Sequence, residues 1–255
     1  MSLKLNRRDI LTSFSAILPI ASGASATTFA GIMAAGAPQT STPTASWPSG
    51  WNDPRFAANT VSGPRYNTGG RIATWRGLTV IDQSGNPSFG YRNYSLLNTR
   101  IRSREGPRVS GNNILIDGCY IEVAGFGDDH ADGIQAYGGS TQGDMKNIVI
   151  RNTKVMCTGG ALNAGIFFAD HAGANLTLES VYVDGGASPN GAIWLANASG
   201  DVGCKSVIAR HVRVKSNGIY GPRGFRLDPI PSLCNIIEWT DVCWDDSTPI
   251  ARPAQ

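Results

Sequence analysis

The densest group of residues able to do chemistry lies near the middle of the chain. The segment 127–135 reads Gly-Asp-Asp-His-Ala-Asp-Gly-Ile-Gln. Histidine titrates near neutral pH and serves as a general acid or base, while carboxylates transfer protons or bind hard cations such as Ca²⁺. His130 and Asp132 are therefore candidate proton-transfer groups, and Asp128 and Asp129 could hold calcium. A structural role is the alternative, because aspartate side chains also stabilise turns.

A short repeat indicates how these residues would be positioned. Each copy begins with two apolar residues at its first and third positions. A small or turn-tolerant residue follows at the fifth position, and two more apolar positions, again two residues apart, come after it. Residues 148–155, Ile-Val-Ile-Arg-Asn-Thr-Lys-Val, are one copy. Seven copies occur, and they begin 21, 20, 34, 28, 31 and 30 residues apart, the last at Ile237. The fifth position is occupied by Gly77, Asn98, Gly118, Asn152, Ser180, His211 and Asp241.

The repeat predicts an all-β solenoid over residues 71–246. Alternation with period two is typical of a strand with one buried face. Gly, Asn, Asp and His enter the left-handed backbone region at least cost, so the fifth position would turn the chain while both apolar sets stay inside. Stacked copies predict a single-stranded parallel β-helix of about seven turns. A sandwich or barrel of hairpins, the alternative, predicts turn signals every 8–12 residues or so but no shared register.

A third strand is predicted in the longer repeats. The segments 133–137, 165–169, 192–196 and 224–228 align without gaps, and their second and fourth residues are apolar. Those residues would point inward, so the third residue of each segment would point outward. The outward residues are Gln135, Phe167, Trp194 and Arg226. Neighbouring positions add Tyr137, Asp170, His171, Arg223 and Asp228 to the same face.

This face would suit an extended polymer. Trp194 and Phe167 could stack on sugar rings, and arginine or glutamine could bind carboxylate or hydroxyl groups. Each group also has a structural alternative. The two aromatic residues could cover an apolar patch beneath a loop, and Arg223 and Arg226 could form a surface ion-pair network with Asp228.

The two ends of the chain differ from the repeats. Residues 6–11, Asn-Arg-Arg-Asp-Ile-Leu, resemble the twin-arginine motif of bacterial export leaders, and a weakly apolar stretch follows. We expect an export signal peptide over 1–26, or to 37 in the alternative, and a periplasmic or extracellular protein with no membrane span after processing. Residues 38–70 are interpreted as a linker and N-terminal cap, and 247–255 as a tail leaving the solenoid.

The cysteines also fit an exported protein. Cys204 precedes Val207 by three residues, and Cys234 precedes Ile237 by three. These are equivalent places on adjacent turns, which stack roughly 4.8 Å apart, within reach of a disulfide. We therefore predict a Cys204–Cys234 disulfide.

Charge gives no support for nucleic-acid binding. The net charge of the chain is +3, and removing the leader takes away Lys4, Arg7, Arg8 and Asp9, leaving 3 − 2 = +1. Only 16% of the residues are charged, and Gly occurs 31 times. That composition is typical of strands and turns and lacks the basic excess of nucleic-acid-binding domains.

Two segments carry a family resemblance. The Asn-Ile-x-Ile-x-Asn segment 147–152 and the His-x-Asp-Gly-Ile-Gln segment 130–135 resemble the right-handed parallel β-helix superfamily of pectate lyases, polygalacturonases and related secreted carbohydrate enzymes. The resemblance extends over roughly residues 56–246. It implies that the β-helix is right-handed and that the protein acts on a polysaccharide. The Asp-Gly-Ile segment at Asp132 is similar to an Asp-Gly segment of polygalacturonases.

The leading hypothesis is a lyase that cleaves an acidic, uronate-containing polysaccharide by β-elimination. Arg226, with Arg223, would pair with the uronate carboxylate or act as base, His130 is the better base, and Tyr137 would protonate the leaving oxygen. Calcium held by Asp128, Asp129 and Asp132 is the candidate cofactor. The first alternative is a glycoside hydrolase pairing Asp132 with Asp129, Asp170 or Asp228. The second is a non-catalytic surface or matrix protein that binds glycan through Phe167 and Trp194.

Overall fold

Strands are the regular secondary structure of the chain. The computed structural model describes residues 47–56, 60–137, 145–169, 173–196, 204–218, 224–227 and 234–253, which fall within one compact unit, Pro43–Gln255. No helix occurs in these ranges. The strands are β1 Thr60–Ser62, β2 Arg65–Asn67, β3 Ala73–Arg76, β4 Thr79–Pro87, β5 Phe89–Tyr91, β6 Tyr94–Leu97, β7 Arg100–Glu105, β8 Arg108–Val109, β9 Ile114–Asp117, β10 Tyr120–Ala124, β11 Ala131–Ala136, β12 Ile148–Gly159, β13 Leu162–Phe167, β14 Asn175–Asp184, β15 Ile193–Ala196, β16 Ser206–Lys215, β17 Phe225–Leu227 and β18 Asn235–Trp244.

Equivalent strands of successive repeats pair in parallel. The largest sheet has eleven strands, in the order β1-β4-β7-β10-β12-β14-β16-β18, with β3, β6 and β9 joined to it through β12. A second sheet has the order β8-β11-β13-β15-β17, and β2 pairs with β5 in a third. Ile148 pairs with Ile114 on one side and Leu176 on the other, as the repeat predicts. The described chain is therefore all-β and solenoid-like.

Every residue at the fifth position of the repeat has a left-handed backbone. The φ angles run from 46° at Asn98 to 68° at Gly118, and Ser180, the least suitable residue type, has φ 52°. At Gly118 the lack of a side chain is also required by space, because a Cβ there would lie 2.3 Å from the Asn98 Oδ1 below it. The same conformation in each repeat lets the chain change direction without exposing either apolar set.

The core contains the apolar positions on both sides of each turn. Ile114, Ile116 and Ile121 of one copy are fully buried. The inward positions of the third strand are buried too, as Ile134 and Ile166 illustrate. In each repeat, aliphatic side chains from the two strands around the turn and from the third strand are buried together. Their burial is the main favourable contribution to the stability of this fold.

The last repeat departs from the predicted register. Ile237 is 57% exposed and Ile236 is buried. Val207 pairs with Ile236, while Ile208 pairs with Glu238, so one extra residue bulges out of β18. A bulge of this kind moves every preceding residue by one position.

The bulge also separates the two cysteines in register. Cys204 lies three residues before Val207, but Cys234 lies only two before its partner Ile236. Both side chains are buried as free thiols, so the predicted Cys204–Cys234 disulfide is not formed in the structure. Burial raises the pKa of the Cys234 thiol to about 11, which keeps the thiol protonated.

The segment before the first repeat is more structured than a linker. Strands begin at Thr60, and β1 pairs with β4. Trp47 packs on Tyr182 and Trp51 packs on Tyr120, with ring centres 5.9 and 6.3 Å apart. The two tryptophans therefore pack against strands of later repeats.

The C-terminal tail folds back along β18. Pro249 forms an antiparallel bridge with Cys243, and the Ile250 N–H donates to the Val242 carbonyl at 2.9 Å. The Trp239 indole donates to the Ile250 carbonyl, also at 2.9 Å. The tail therefore covers part of the last strand, where an open edge would otherwise invite pairing with another chain, instead of leaving the solenoid.

The predicted leader, residues 1–26, lies outside the described residues. Across the ranges that the structure does describe, no helix is long and apolar enough to cross a membrane.

The left-handed position of Ser180 yields a stability prediction. Ser180→Val should destabilise the fold by about 1–2 kcal/mol, because a β-branched side chain is strained where φ is positive. Thr177→Val, a change of similar shape at an ordinary position of the same strand, should alter stability by less than about 0.5 kcal/mol. Urea unfolding measures both values. Equal losses in the two variants would contradict the role of the fifth position.

Candidate functional site

One side chain from each strand of the five-stranded sheet lies in a single row. Strand pairing places Arg108 beside Gln135, Gln135 beside Phe167 and Phe167 beside Trp194. Trp194 in turn lies beside Arg226. We call these five residues the outward column. Its last four members are those that the alignment of third strands predicts, and Arg108 is an addition, because β8 is too short to show any sequence periodicity.

The middle of the outward column is aromatic. The Phe167 and Trp194 rings meet edge to face with centres 5.0 Å apart, and the Arg226 guanidinium lies 4.0 Å from the Trp194 ring centre. Trp194 is half-buried, but Phe167 is only 7% exposed and packs with Ala164 and Ala169. Phe167 therefore supports Trp194 and is not the exposed stacking surface that the sequence suggested.

Arg108 connects three other groups at one end of the column. Its Nη2 donates to Gln135 Oε1 at 2.6 Å and lies 3.4 Å from Glu105 Oε1. Its guanidinium is 5.4 Å from the ring centre of Tyr137, which is exposed. The buried Arg108 Nε has no hydrogen-bond partner among the described residues. A cation, an amide and a phenol therefore converge within a short distance.

Asp132 lies beneath this face rather than on it. The side chain is fully buried, its Oδ1 accepts a hydrogen bond from the Ala164 N–H at 3.0 Å, and its Oδ2 accepts one from Asn163 at 3.3 Å. Burial raises the pKa of Asp132 well above its ordinary value, and the charge of Glu105 raises it further. In this position Asp132 cannot touch a polymer that lies on the surface of the sheet.

Glu105, the last residue of β7, is a second buried carboxyl group. The N–H of the next residue, Gly106, donates to the Asp132 carbonyl at 3.0 Å, so the end of β7 lies against β11. Burial raises the pKa of Glu105 to about 7, although the Arg108 charge opposes this shift. Sequence reasoning missed Glu105, because it follows a run of alternating arginines and serine that looks like an ordinary strand.

A directed chain of hydrogen bonds joins Asp132 to Arg226. Arg226 Nη1 donates to Asn190 Oδ1, and Asn190 Nδ2 donates to Asn163 Oδ1 at 2.6 Å. Asn163 then donates to Asp132. Asn163 is the extra residue of a bulge between β11 and β13, which turns its side chain toward both neighbours. This series of hydrogen bonds links the buried Asp132 carboxyl group to the Arg226 guanidinium, which lies three strands away.

The histidine of the predicted site is on the surface. His130 is exposed immediately before β11 begins at Ala131. It is two residues from Asp132, but the burial of Asp132 separates the environments of the two side chains. His130 is therefore accessible to a ligand, while Asp132 is not.

The two aspartates before His130 do not form a cation site. Arg104 contacts both Asp129 oxygens, with Nη2–Oδ1 at 2.7 Å and Nε–Oδ2 at 2.9 Å. The Phe126 N–H also donates to Asp129 Oδ2 at 2.7 Å. Asp128 is exposed. Because a guanidinium already balances the Asp129 charge, these residues do not fit Ca²⁺, and among the described residues no three acidic, His or Cys side chains form a group that could hold a metal.

Four predicted site residues lie outside the described ranges: Asp170, His171, Arg223 and Asp228. The prediction for another histidine, His211, can be assessed. His211, interpreted as a turn residue, has φ 52° and its Nδ1 lies 2.9 Å from Asp241 Oδ2 in the next repeat, so the turn interpretation is confirmed.

Comparison with known proteins adds no relative. No protein-family model matches the chain, and no curated protein or solved structure does either.

The buried carboxyl groups predict an unusual pH dependence of stability. The pKa of Glu105 is raised from 4.5 to about 7. The protonated side chain therefore contributes fully to the free energy of unfolding below pH 4.5, and this contribution is lost as the pH rises through about 7. Between those limits, wild type should lose about 3 kcal/mol more unfolding free energy than Glu105→Gln. Urea unfolding at a series of pH values measures this difference.

Glu238 provides a control of opposite sign. The hydrogen bond from Arg210 lowers the pKa of Glu238, so its contribution is present above its ordinary titration range and is lost only at lower pH. Glu238→Gln should therefore leave the slope above about pH 5 unchanged. Parallel profiles for wild type and Glu105→Gln would refute the assignment of Glu105 as a buried acid.

Proposed function

We propose that this chain is an exported polysaccharide lyase with a right-handed parallel β-helix fold, acting on an acidic, uronate-containing polysaccharide. Parallel pairing of equivalent strands in successive repeats supports the β-helix. Parallel strands of one sheet are joined by crossovers, and such crossovers are right-handed in about 98% of cases. The twin-arginine-like leader at Arg7 and Arg8 supports export.

The convergence of Arg108, Gln135 and Tyr137 is the observation that carries the proposed reaction. A uronate carboxylate must be neutralised before its neighbouring C5 proton becomes acidic enough to remove. Arg108, whose side chain is 26% exposed, can pair with that carboxylate through its guanidinium, and Gln135, held at 2.6 Å from Arg108, can donate its amide hydrogens. Trp194 and Arg226 would hold a sugar further along the outward column.

The elimination then needs one base and one acid. Tyr137, whose ring centre is 5.4 Å from the Arg108 guanidinium, fills both roles in turn. Its phenolate removes the C5 proton, and the electrons of that C–H bond form the C4–C5 double bond. The C4–O bond breaks, and the phenol gives the same proton to the leaving oxygen. The predicted base His130 lies before β11 and Tyr137 lies after it, so roughly 20 Å of extended strand keep the two from acting on one sugar. The products are a saccharide with a new unsaturated end and one with a free hydroxyl. No step passes through calcium, since Asp129 is already paired with Arg104.

A glycoside hydrolase of the same fold is the second candidate, and Glu105 favours it. A carboxyl group with a pKa near 7 is protonated often enough at neutral pH to act as a general acid. Asp132 is its neighbouring carboxyl group, and hydrolases of this type use two. Glu105 is 9% exposed and Asp132 is fully buried, so a substrate would reach Glu105 first.

The products distinguish the two reactions. We expect the purified protein to release unsaturated products from polygalacturonate or alginate, seen as ultraviolet absorbance that grows in step with new reducing ends. Reducing ends without absorbance would favour the hydrolase. Binding without either signal would favour a non-catalytic glycan-binding protein and would contradict the proposed enzyme.

Site variants test the assigned roles. Tyr137→Phe should lower kcat by about 10²–10⁴-fold, since it removes the proton-transfer group, while His130→Ala, at the opposite end of β11, should leave kcat nearly unchanged. Arg108→Ala should lower kcat/KM strongly because the carboxylate loses its counter-charge. Tyr182→Phe, which packs on Trp47 away from this face, is the matched control and should keep wild-type activity. Wild-type turnover by Tyr137→Phe would remove Tyr137 from the mechanism.

A further inference from the structure

Positive charge is concentrated in the first third of the described chain. Residues 60–110 contain eight arginines and two acidic residues, and both acidic residues, Asp82 and Glu105, are buried. The arginines are Arg65, Arg71, Arg76, Arg92, Arg100, Arg102, Arg104 and Arg108. This local excess contrasts with the net charge of +3 for the whole chain, so the remainder is nearly balanced or acidic.

Some of these arginines have structural partners, and others do not. Arg102 pairs with Glu122 at 2.7 Å, Arg104 pairs with Asp129 at 2.7 Å, and Arg100 donates to the Trp51 carbonyl. Arg71 and Arg92 are exposed and have no acidic partner among the residues that the structure describes. Their charges are therefore available to an anionic ligand.

Arg71 and Arg92 are held beside the end of the outward column. Asn67 accomplishes this, because its Nδ2 donates to the Arg71 carbonyl at 2.8 Å and its own carbonyl accepts the Arg92 N–H at 3.4 Å. The Arg92 Cβ also packs on Gly111, where an added Cβ would lie 2.7 Å away. Asn67 therefore connects the loop that contains Arg71 to the end of β5, where Arg92 follows.

Tyr66 extends the same row by two strands. Tyr66 pairs with Gly90, and a Cβ added to Gly90 would lie 3.3 Å from the Tyr66 ring and 3.7 Å from the Arg108 Cβ. Glycine therefore lets the ring lie close against β5, next to Arg108. The Tyr66 ring is 38% exposed and is backed by Tyr91, with ring centres 4.9 Å apart.

We propose that Tyr66, Arg71 and Arg92 form an end subsite that binds an anionic stretch of polysaccharide away from the reacting sugar, which Arg108 holds. This inference rests on the proposed function, because it assigns a second contact to the same substrate. A partly exposed ring beside arginines suits a sugar acid, whose C–H face packs on the ring while its carboxylate pairs with guanidinium groups.

The subsite predicts a long substrate. From Tyr66 to Arg226 the row crosses seven strands, which at about 4.8 Å per step spans roughly 29 Å. An oligosaccharide that reaches only from Arg108 to Trp194 would miss the end subsite. The contribution of Arg71 and Arg92 should therefore grow with the length of the ligand.

Direct binding measurements test the subsite independently of turnover. The Kd of the full chain is measured by calorimetry for polygalacturonate and for tri-galacturonate, in wild type and in the double variant Arg71→Ala/Arg92→Ala. We expect polymer binding to weaken about tenfold or more and to become less salt-dependent, since two contacts between opposite charges are lost. Trimer binding should change by less than about twofold.

The matched control removes the same charge elsewhere. Arg210→Ala/Arg213→Ala deletes two arginines of β16 that pair with Glu238 and Asp241, so its effect on polymer binding reports bulk charge alone. Gly90→Ala, which displaces the Tyr66 ring without changing charge, should weaken polymer binding while keeping the wild-type Tm within a few degrees.

The outcomes separate this inference from the proposed function. Polymer binding that depends on Arg71 and Arg92, without any cleavage, would support the subsite and contradict the lyase. Cleavage with equal polymer affinity in wild type and the double variant would support the lyase and overturn the subsite. Equal losses in the two double variants, or tighter binding to single-stranded DNA than to polygalacturonate, would also overturn it.

Discussion

The left-handed backbone conformation at the fifth position of each repeat determines how the strands stack. It turns the chain between two strands while both apolar sets remain buried, and it recurs seven times with φ between 46° and 68°. Because the turns repeat, each strand pairs with its equivalent one repeat away. Side chains that face outward then stack in rows about 4.8 Å apart. Asn98, Ser180 and Asp241 occupy this position at some conformational cost, which the packing of the core offsets.

That regularity assembles a surface from residues far apart in sequence. Arg108, Gln135, Trp194 and Arg226 come from four repeats and share one row because their strands share one register. The buried carboxyl groups of Glu105, at the end of β7, and Asp132, in β11, belong to segments that contact each other. The proposed lyase reaction uses residues of the outward column. The hydrolase alternative uses the buried carboxyl groups of Glu105 and Asp132. The same geometry therefore underlies both candidate reactions, and their products, rather than the fold, distinguish them.

Sequence reasoning predicted the parts of this structure that repeat. The fifth-position residues, the inward positions such as Ile134 and Ile166, and the row from Gln135 to Arg226 all follow from one aligned pattern. It failed where a single inserted residue changed the register, as at Ile237, and this also misplaced Cys234. It missed Arg108 and Glu105 because a two-residue strand and a strand end carry no periodicity. It could not foresee that Trp194 and its neighbours would bury Phe167, since burial depends on packing above the sheet.

A crystal structure of the chain with a bound oligogalacturonate would show where the polysaccharide binds. The saccharide should lie along the five-stranded sheet, with a sugar ring over Trp194 and a carboxylate within hydrogen-bond distance of Arg108 or Arg226. In the same structure Arg108, Gln135, Phe167, Trp194 and Arg226 should occupy one row. A saccharide bound against the eleven-stranded sheet instead, or a register that separates those five residues, would show that the outward column is not the binding face.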